Sequence, residues 1–225
     1  MSFSPTDADS GKSVSIKKAQ IPNVSGMAYC HTFAFPERFM TEMGHRWLYA
    51  LYRFYIKHPG GVCYVAVDSA EKVVGFAVGG EPVIRQKFLR SAMLRYPHII
   101  FWKFFTRHIV RSVLLDELFK KLHLRRKASS SENIDTDKTL PKSGNLLSIC
   151  VLPDYKGTGI ASRLIETFQK ACAAAGYGCL TLSVLSENSR AVAFYKKHRW
   201  YETGVTGAST KFALDLDINQ SDSDK

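Results

Sequence analysis

The residues best suited to chemistry lie in a glycine-rich turn between an apolar run and a helical pattern. The stretch reads Val151-Leu152-Pro153-Asp154-Tyr155-Lys156-Gly157-Thr158-Gly159-Ile160-Ala161. Glycine lets the backbone approach a ligand without an intervening Cβ. The N–H groups at the start of the following helix point outward, and the helix dipole adds partial positive charge. The turn is therefore suited to hold a pyrophosphate, and Lys156 adds a full charge beside it.

Two common phosphate-binding motifs fit this turn poorly. A P-loop requires G-x-x-x-x-G-K-[ST], which the chain lacks. A dinucleotide fingerprint requires G-x-G-x-x-G, and here Ser162 occupies the third glycine position. A third pattern, V-x-P-x-x-[RQ]-x-x-G-x-[GA], agrees at four positions: Val151, Pro153, Gly159 and Ala161. The turn thus resembles the acetyl-coenzyme A signature of the GNAT superfamily of N-acetyltransferases.

One position of this signature departs from the family pattern. Lys156 stands where arginine or glutamine is usual. The substitution keeps a positive charge but loses the forked guanidinium donor.

A second stretch resembles the other GNAT signature, N-x-x-A-x-x-F-Y-x-K-x-G-F. The matching residues are Asn188, Ala191, Phe194, Tyr195 and Lys197. Arg199 and Trp200 replace the usual Gly-Phe, so we expect a differently shaped turn after this helix. The interval between the two signatures leaves room for one helix and one strand, as the family requires.

The resemblance covers roughly residues 146–216, together with a predicted hairpin at 63–79. It implies an α/β fold of GNAT type, with a mixed, mostly antiparallel central sheet, splayed central strands and helices on both faces. It also implies acetyl-coenzyme A as cosubstrate, with no metal, and the pantetheine chain lying along the strand 147–151. The residues it assigns to coenzyme binding are Ile149, Val151, Lys156, Gly157, Thr158, Gly159, Ala161, Ser162 and Asn188.

Tyr195, at the tyrosine of the second signature, is the catalytic candidate as general acid for the leaving thiolate. Its alternative role is to pack its ring against the coenzyme. The attacking amine must be neutral, so a base is also expected. Four candidates lie in the N-terminal helices that wall the acceptor site in this family, and the sequence does not choose among them: His31, Glu37, Glu42 and His45.

Hydrophobic patterning predicts one domain at 13–218 between disordered tails at 1–12 and 219–225. A helical insertion is predicted at about 82–127, followed by a flexible loop at 128–144. The remaining helices are predicted within 22–35, 36–55, 157–175 and 188–198. The strands are predicted at 14–18, 63–67, 73–79, 145–151, 179–184 and 212–216.

The positive charge of the chain is concentrated in the predicted insertion. The whole chain carries a formal charge of +11. Residues 85–127 contain 12 lysines and arginines against two acidic residues, which is a charge of +10. Such a local excess argues against a nucleic-acid-coating protein and for a basic appendage on a nearly neutral core. An anionic acceptor, an anionic membrane surface or a carrier protein would each suit this charge, and a solvated face covering the acceptor groove is the plainer interpretation.

The acceptor is less well indicated than the coenzyme. The stretch His31 to Phe39, with Gly44 and residues 47–49, resembles GNAT members of bacterial surface-polysaccharide pathways. That resemblance implies a small-molecule primary amine such as an amino-sugar nucleotide. Protein or polyamine acceptors, longer acyl groups and a homodimer stay open.

Cysteine usage and apolar patterning indicate the compartment. The five cysteines are scattered and contain no C-x-x-C pair, which fits a reducing environment. The first 20 residues lack an apolar core of signal-peptide length. Charged residues interrupt the most apolar later stretch, Ile99 to Phe119, so no transmembrane helix is predicted. We therefore expect a cytoplasmic protein.

Overall fold

The computed structural model describes residues 13–36, 39–96 and 142–216. Within them, the strands are β1 Ser15–Lys18, β2 Gly61–Val67, β3 Val73–Gly80, β4 Lys142–Val151, β5 Tyr177–Leu185, β6 Tyr201–Thr206 and β7 Ser209–Asp215. The helices are α1 Val24–Ala34, α2 Phe39–Glu42, α3 His45–Lys57, α4 Val83–Arg95, α5 Ile160–Ala174 and α6 Ser189–Lys197. Short 3-10 turns lie at Ile21–Asn23 and Pro153–Tyr155.

The strands form one seven-stranded sheet in the order β1-β2-β3-β4-β5-β7-β6. The pairing of β4 with β5 is parallel, and the other five pairings are antiparallel. The parallel pairing joins Lys142–Asn145 to residues 177–181 and stops there, although β4 continues to Val151 and β5 to Leu185. The two central strands therefore splay apart, and the predicted mixed sheet with helices on both faces is confirmed.

Helices cover the two faces of the sheet from opposite sides. On β3, the ring of Phe76 packs against Tyr52 of α3 at a centroid distance of 5.0 Å. The neighbouring Gly75 turns the other way, so that a Cβ there would lie 3.3 Å from Leu164 of α5. All eight residues of β3 are buried because both of its faces are covered.

Helix α3 shows how the sequence pattern sets its packing. Its buried residues recur on one side of the helix: Trp47, Leu48, Leu51, Tyr52 and Tyr55. This spacing forms a single apolar stripe against the sheet. The opposite side carries Arg46, Arg53 and Lys57, all of which are exposed.

Several element boundaries differ from the sequence-based predictions. The helix predicted within 36–55 is divided at Gly44, whose φ of 93° is unsuited to a helix. Strand β4 begins at Lys142 rather than Asn145, and so takes in three residues of the predicted loop. These residues pair with β5, a long-range contact that overrides the weak strand preference of Lys-Ser-Gly. Helix α5 begins at Ile160, after the glycine turn.

Strand β6 is missing from the sequence-based prediction. All six of its residues are exposed, so no alternation of buried and exposed side chains marks it. It forms through pairing with β7 at the edge of the sheet.

The predicted insertion is described only in its first part. Helix α4 occupies 83–95, with Ile84, Phe88 and Ala92 buried at a spacing of four residues. The rest of the insertion, most of the predicted loop and both predicted tails lie outside the described residues.

Candidate active site

The gap between β4 and β5 is the central feature of the site. Asn145 and Thr181 form the last paired positions of the two strands. Beyond them, residues 146–151 keep their antiparallel pairing with β3 on one edge and have no strand partner on the edge that faces β5. An unpaired strand edge offers N–H and C=O groups to a ligand with amides of its own.

Two further features mark the gap. The Oδ1 atom of Asn145 is buried without a hydrogen-bond partner among the described residues. An unpaired buried acceptor is costly unless a ligand or water supplies a donor.

Leu147 is skipped in the β3–β4 register, since Val78 pairs with Ser148 and Gly79 with Leu146. Its backbone therefore lies at a bulge, where ladder partners are lacking on both sides. Neither feature shows in the sequence, because both depend on strand register.

The glycine turn connects the open end of β4 to helix α5. Leu152 N–H donates to Val74 O at 2.8 Å and fixes the start of the turn against β3. Gly157 and Gly159 have φ values of 84° and 79°, a left-handed conformation that other residues adopt at a cost. A Cβ at either position would have no heavy atom within 4 Å. The space above the turn is open.

The start of α5 carries free hydrogen-bond donors. Its N-cap, Gly159, supplies no side-chain cap, and the first N–H bonded within the helix is that of Arg163, to Gly159 O at 3.1 Å. The N–H groups of residues 160–162 have no acceptor among the described residues. Together with the helix dipole and the exposed Lys156, they form a site for an anionic group. This donor set fits the pyrophosphate of coenzyme A.

The predicted coenzyme-binding residues fall into three places. Ile149 and Val151 lie on the part of β4 that pairs with β3 but has no strand partner on the edge facing β5. The turn and the first helical residues hold Lys156, Gly157, Thr158, Gly159, Ala161 and Ser162. The Thr158 hydroxyl donates to Tyr155 O at 2.7 Å and so stabilises the turn itself. Asn188 lies at the start of α6, where its Oδ1 accepts from Ala191 N–H at 3.1 Å. Asn188 therefore has a helix-capping role that is independent of any ligand.

Tyr195 lies on α6 in an aromatic setting. Its ring centroid is 6.0 Å from that of Phe212, whose backbone pairs with Leu182 of β5. Leu182 follows Thr181, so Tyr195 lies beside the β5 wall of the gap. Its hydroxyl has no hydrogen-bond partner among the described residues. Desolvation by burial raises the pKa of Tyr195 to about 12, so the hydroxyl keeps its proton at physiological pH.

Arg199, which replaces the usual glycine at the end of the second signature, keeps the backbone conformation that glycine favours. Arg199 adopts a φ of 70°, in the left-handed region. Arg199 N–H donates to Lys196 O and Trp200 N–H to Tyr195 O, each at 3.1 Å, which is the Schellman arrangement. Trp200 is buried and packs on Tyr195. The helix thus ends in the turn that glycine favours, contrary to the expectation that this turn would change shape.

A buried polar cluster lies on the α1 and α3 side of β4. His31 Nδ1 and the Tyr52 hydroxyl are 2.5 Å apart, and the Tyr52 hydroxyl also interacts with the side chain of Ser148, next to the bulge. Burial lowers the pKa of His31 to about 4, so its ring is uncharged at neutral pH. Tyr52 and Ser148 were not among the sequence candidates, since a tyrosine within an apolar stripe resembles ordinary core.

Of the other three base candidates, the structure describes Glu42 and His45. Glu42 is half-buried at the end of α2. His45 is exposed at the start of α3, on the side that faces α4. Glu37 lies outside the described residues.

Comparison with known proteins agrees with this geometry. Residues 128–199, about a third of the chain, match the sequence model of the Acetyltransferase (GNAT) family. Acetyl-coenzyme A is the cosubstrate of that family. No curated protein matches the sequence.

Several solved structures share the fold. SsHAT is 22% identical, with a TM-score of 0.61 over 90% of this chain and 98% of its own. Ard1 from Thermoplasma volcanium is 13% identical, with a TM-score of 0.54 over 91% and 98%. The ribosomal-protein-S18-alanine N-acetyltransferase from Escherichia coli is 13% identical, with a TM-score of 0.52 over 95% and 99%. At these identities the likeness extends to the fold alone.

The described residues contain neither a candidate metal site nor a candidate membrane span. Among residues 13–36, 39–96 and 142–216, no group of three or more His, Cys, Asp or Glu side chains is arranged to hold a metal ion. In the same ranges, no helix has the length and apolar character needed to cross a membrane.

Proposed function

We propose that this chain, through its GNAT acetyltransferase domain, transfers the acetyl group of acetyl-coenzyme A to the primary amine of a small molecule. One observation carries the proposal: the gap between β4 and β5 leads directly into a turn with two left-handed glycines and free N–H groups. A pantetheine chain and a pyrophosphate need these two features in this order. The coenzyme supplies an activated acetyl thioester.

The binding roles follow from groups that lack protein partners. The open edge of β4 at residues 146–151 pairs with the amides of the pantetheine chain. The N–H groups at the start of α5 and Lys156 bind the pyrophosphate. Asn145 Oδ1, buried at the vertex of the gap, accepts a hydrogen bond from the ligand.

The catalytic roles use the middle of β4 and the last turn of α6. The backbone of Leu147, at the bulge, is the candidate donor to the carbonyl oxygen as negative charge develops there. Tyr195 donates a hydrogen bond to the sulfur that leaves. Its pKa of about 12 lies well above the value of about 8.5 for a free thiol, so stabilising the thiolate is easier for Tyr195 than full proton transfer.

The acceptor enters on the face that α1 and α3 cover. The His31 ring, with a pKa of about 4, is a weak proton acceptor at neutral pH, and its role is to hold the Tyr52 hydroxyl near Ser148. An amine with a pKa near neutrality, such as that of an amino sugar, needs less help from a base than an alkylamine does. We therefore favour an amino-sugar nucleotide of the bacterial surface-polysaccharide type, used in the cytoplasm.

A second candidate is an acceptor held on an anionic membrane or a carrier protein. The charge of +10 over residues 85–127 favours it. Attraction to such a surface would weaken with salt, because exposed charges are screened beyond about 8 Å at 0.15 M salt.

The test is an acceptor panel. The protein is incubated with acetyl-coenzyme A and, separately, amino-sugar nucleotides, polyamines, amino acids and peptides, and free thiol release is followed. Release that depends on one amine class, with an acetylated product by mass spectrometry, supports the proposal. If coenzyme A binds but no amine accelerates thiol release, the amine-acetylation proposal is wrong.

A further inference from the structure

A groove between α3 and α4 lies on the side of α3 that faces away from the sheet. It encloses about 720 Å³, within the range of small-molecule sites. Trp47 of α3 packs edge-on against Phe88 of α4 at a centroid distance of 5.1 Å, and Phe88 lines the groove. The helices are thereby held together below an open cleft. This cleft is separate from the glycine turn and the gap between β4 and β5, whose residues do not line it.

The groove is strongly cationic. Arg46, Arg53 and Lys57 line it from α3, and Arg95 lines it from α4. None of the residues that line it is acidic. These four side chains also form no ion pair with any described residue. Four formal charges therefore face one cavity without compensation from the described part of the protein.

The spacing of the charges indicates how many phosphates the ligand carries. Arg46 and Arg53 are seven residues apart on one helix, which places their backbones about 10 Å apart along its axis. When these side chains extend from the helix, each guanidinium can bind a separate phosphate, so a diphosphate suits this spacing better than a single phosphate. Arginine suits this role because its planar fork binds two phosphate oxygens together.

The groove also has an aromatic wall. Phe54 and Tyr96, both half-buried, line it, and the ring centroids of Phe54 and Phe88 are 5.8 Å apart. Half-buried rings present apolar surface on which a flat ring can pack. The cations lie around a concave cavity, where a small molecule can contact several of them and a flat lipid surface cannot.

We propose that the α3–α4 groove is a second binding site, for a nucleoside diphosphate or an ester of one. The phosphates bind the arginines of α3 and Arg95, and the base packs against Phe54 and Tyr96. This site is distinct from the coenzyme site and does not depend on acetyl transfer.

The test measures UDP binding by calorimetry in the absence of coenzyme A, because coenzyme A is itself an ester of a nucleoside diphosphate and would compete for the groove. Gly159→Trp, which fills the space above the glycine turn, shows whether UDP binds outside that turn. Uridine and inorganic pyrophosphate are titrated separately, to measure how much the base and the phosphates each contribute to the affinity. The double variant Arg53→Glu/Arg95→Glu changes two exposed cations of the groove. Arg90→Glu is the matched control, because Arg90 is exposed on the same α4 helix but does not line the groove.

We expect UDP to bind both the unaltered protein and Gly159→Trp, and the double variant to weaken binding by about tenfold or more. Arg90→Glu should change the Kd by less than about twofold, as exposed single charges at a distance do. Ser91→Trp fills the groove from an exposed position without changing charge, and should also abolish UDP binding. Unchanged melting temperatures would show that the variants fold.

Three results would overturn the proposal. The first is no binding of UDP to the unaltered protein at millimolar concentration. The second is binding that the double variant and Ser91→Trp leave unchanged. The third is capture of the protein by phosphatidylglycerol vesicles, lost in the double variant, without binding of UDP, since this would assign the charges to a lipid surface.

Discussion

Tyr195 and Trp200 are joined both through the backbone and through their rings at the end of α6. Trp200 N–H donates to Tyr195 O at 3.1 Å, and the ring centroids are 6.0 Å apart. This is the apolar contact that accompanies a Schellman turn. The tyrosine at the candidate reaction centre is thus held by the turn that ends its own helix.

Replacing Tyr195 with phenylalanine tests the role of the hydroxyl alone. The ring contacts with Trp200 and Phe212 are kept, so coenzyme A affinity and stability should change little. The turnover number should fall by about 10²-fold or more if the hydroxyl serves the leaving thiolate. Steady-state kinetics and calorimetry measure the two effects separately.

The pH profile provides a check on the same residue. Because the pKa of Tyr195 is raised to about 12, the hydroxyl stays protonated over the alkaline range in which the enzyme can be assayed. Ionisation of Tyr195 should therefore cause no fall of kcat in that range. An unchanged kcat in Tyr195→Phe would leave Tyr195 a packing residue only.

Replacing Arg199 with glycine should stabilise the protein by about 1 kcal/mol. Arg199 has a φ of 70°, and the left-handed conformation costs a residue with a Cβ about 1–2 kcal/mol. Ala193→Gly in the same helix is the control, since it is exposed, has no such strain and should destabilise by about 1 kcal/mol. Urea unfolding measures both, and equal destabilisation by the two glycines would contradict the argument.

Replacing Gly159 with tryptophan should abolish coenzyme A binding. The side chain would occupy the open space above the turn, where a ligand phosphate is expected. Gly176→Trp is a closely matched control, because Gly176 has a φ of 78° against 79° for Gly159 and also has open space around its Cβ position. Both variants should carry similar backbone strain, of about 1–2 kcal/mol.

The two tryptophan variants separate strain from binding. We expect Gly176→Trp to bind coenzyme A normally, because Gly176 lies at the far end of α5. If Gly159→Trp kept its affinity, the glycine turn would not be the pyrophosphate site. If both lost affinity equally, the effect would be one of stability.

His31 should make the protein less stable in mild acid. Its folded pKa of about 4 lies below the value of 6.5 expected when unfolded, so the unfolded chain binds more protons between these values. This contribution to stability is full above about pH 6.5 and is lost as the pH falls towards 4, up to about 3 kcal/mol. His31→Phe should lack this part of the pH dependence. Parallel pH profiles of unfolding free energy for the two proteins would contradict the prediction.

Much of the fold could be predicted from local pattern. The continuous apolar runs of β2 and β3 reflect burial on both faces of the sheet, and the four-residue spacing of Ile160, Leu164, Phe168 and Cys172 in α5 reflects burial of one helix face. Strand β6 could not be predicted, because its residues are all exposed and only pairing with β7 makes it a strand.

Some residues of the candidate site could likewise be identified from the sequence, and others could not. Gly157 and Gly159 could be assigned from sequence, because a left-handed turn at a helix start requires a residue without Cβ. The roles of Tyr52, Ser148 and Asn145 could not, since each depends on contacts between residues far apart in the chain.

The sequence alone determined the glycine turn, the second signature and the type of most elements, since these depend on conformational preferences and on periodic burial within short segments. Tertiary structure decided where β4 parts from β5, that Asn145 is left unpaired at that point, and that the cations of α3 and α4 face one groove. The physical reason is that strand register and helix pairing are set by the packing of distant segments, which no local pattern encodes.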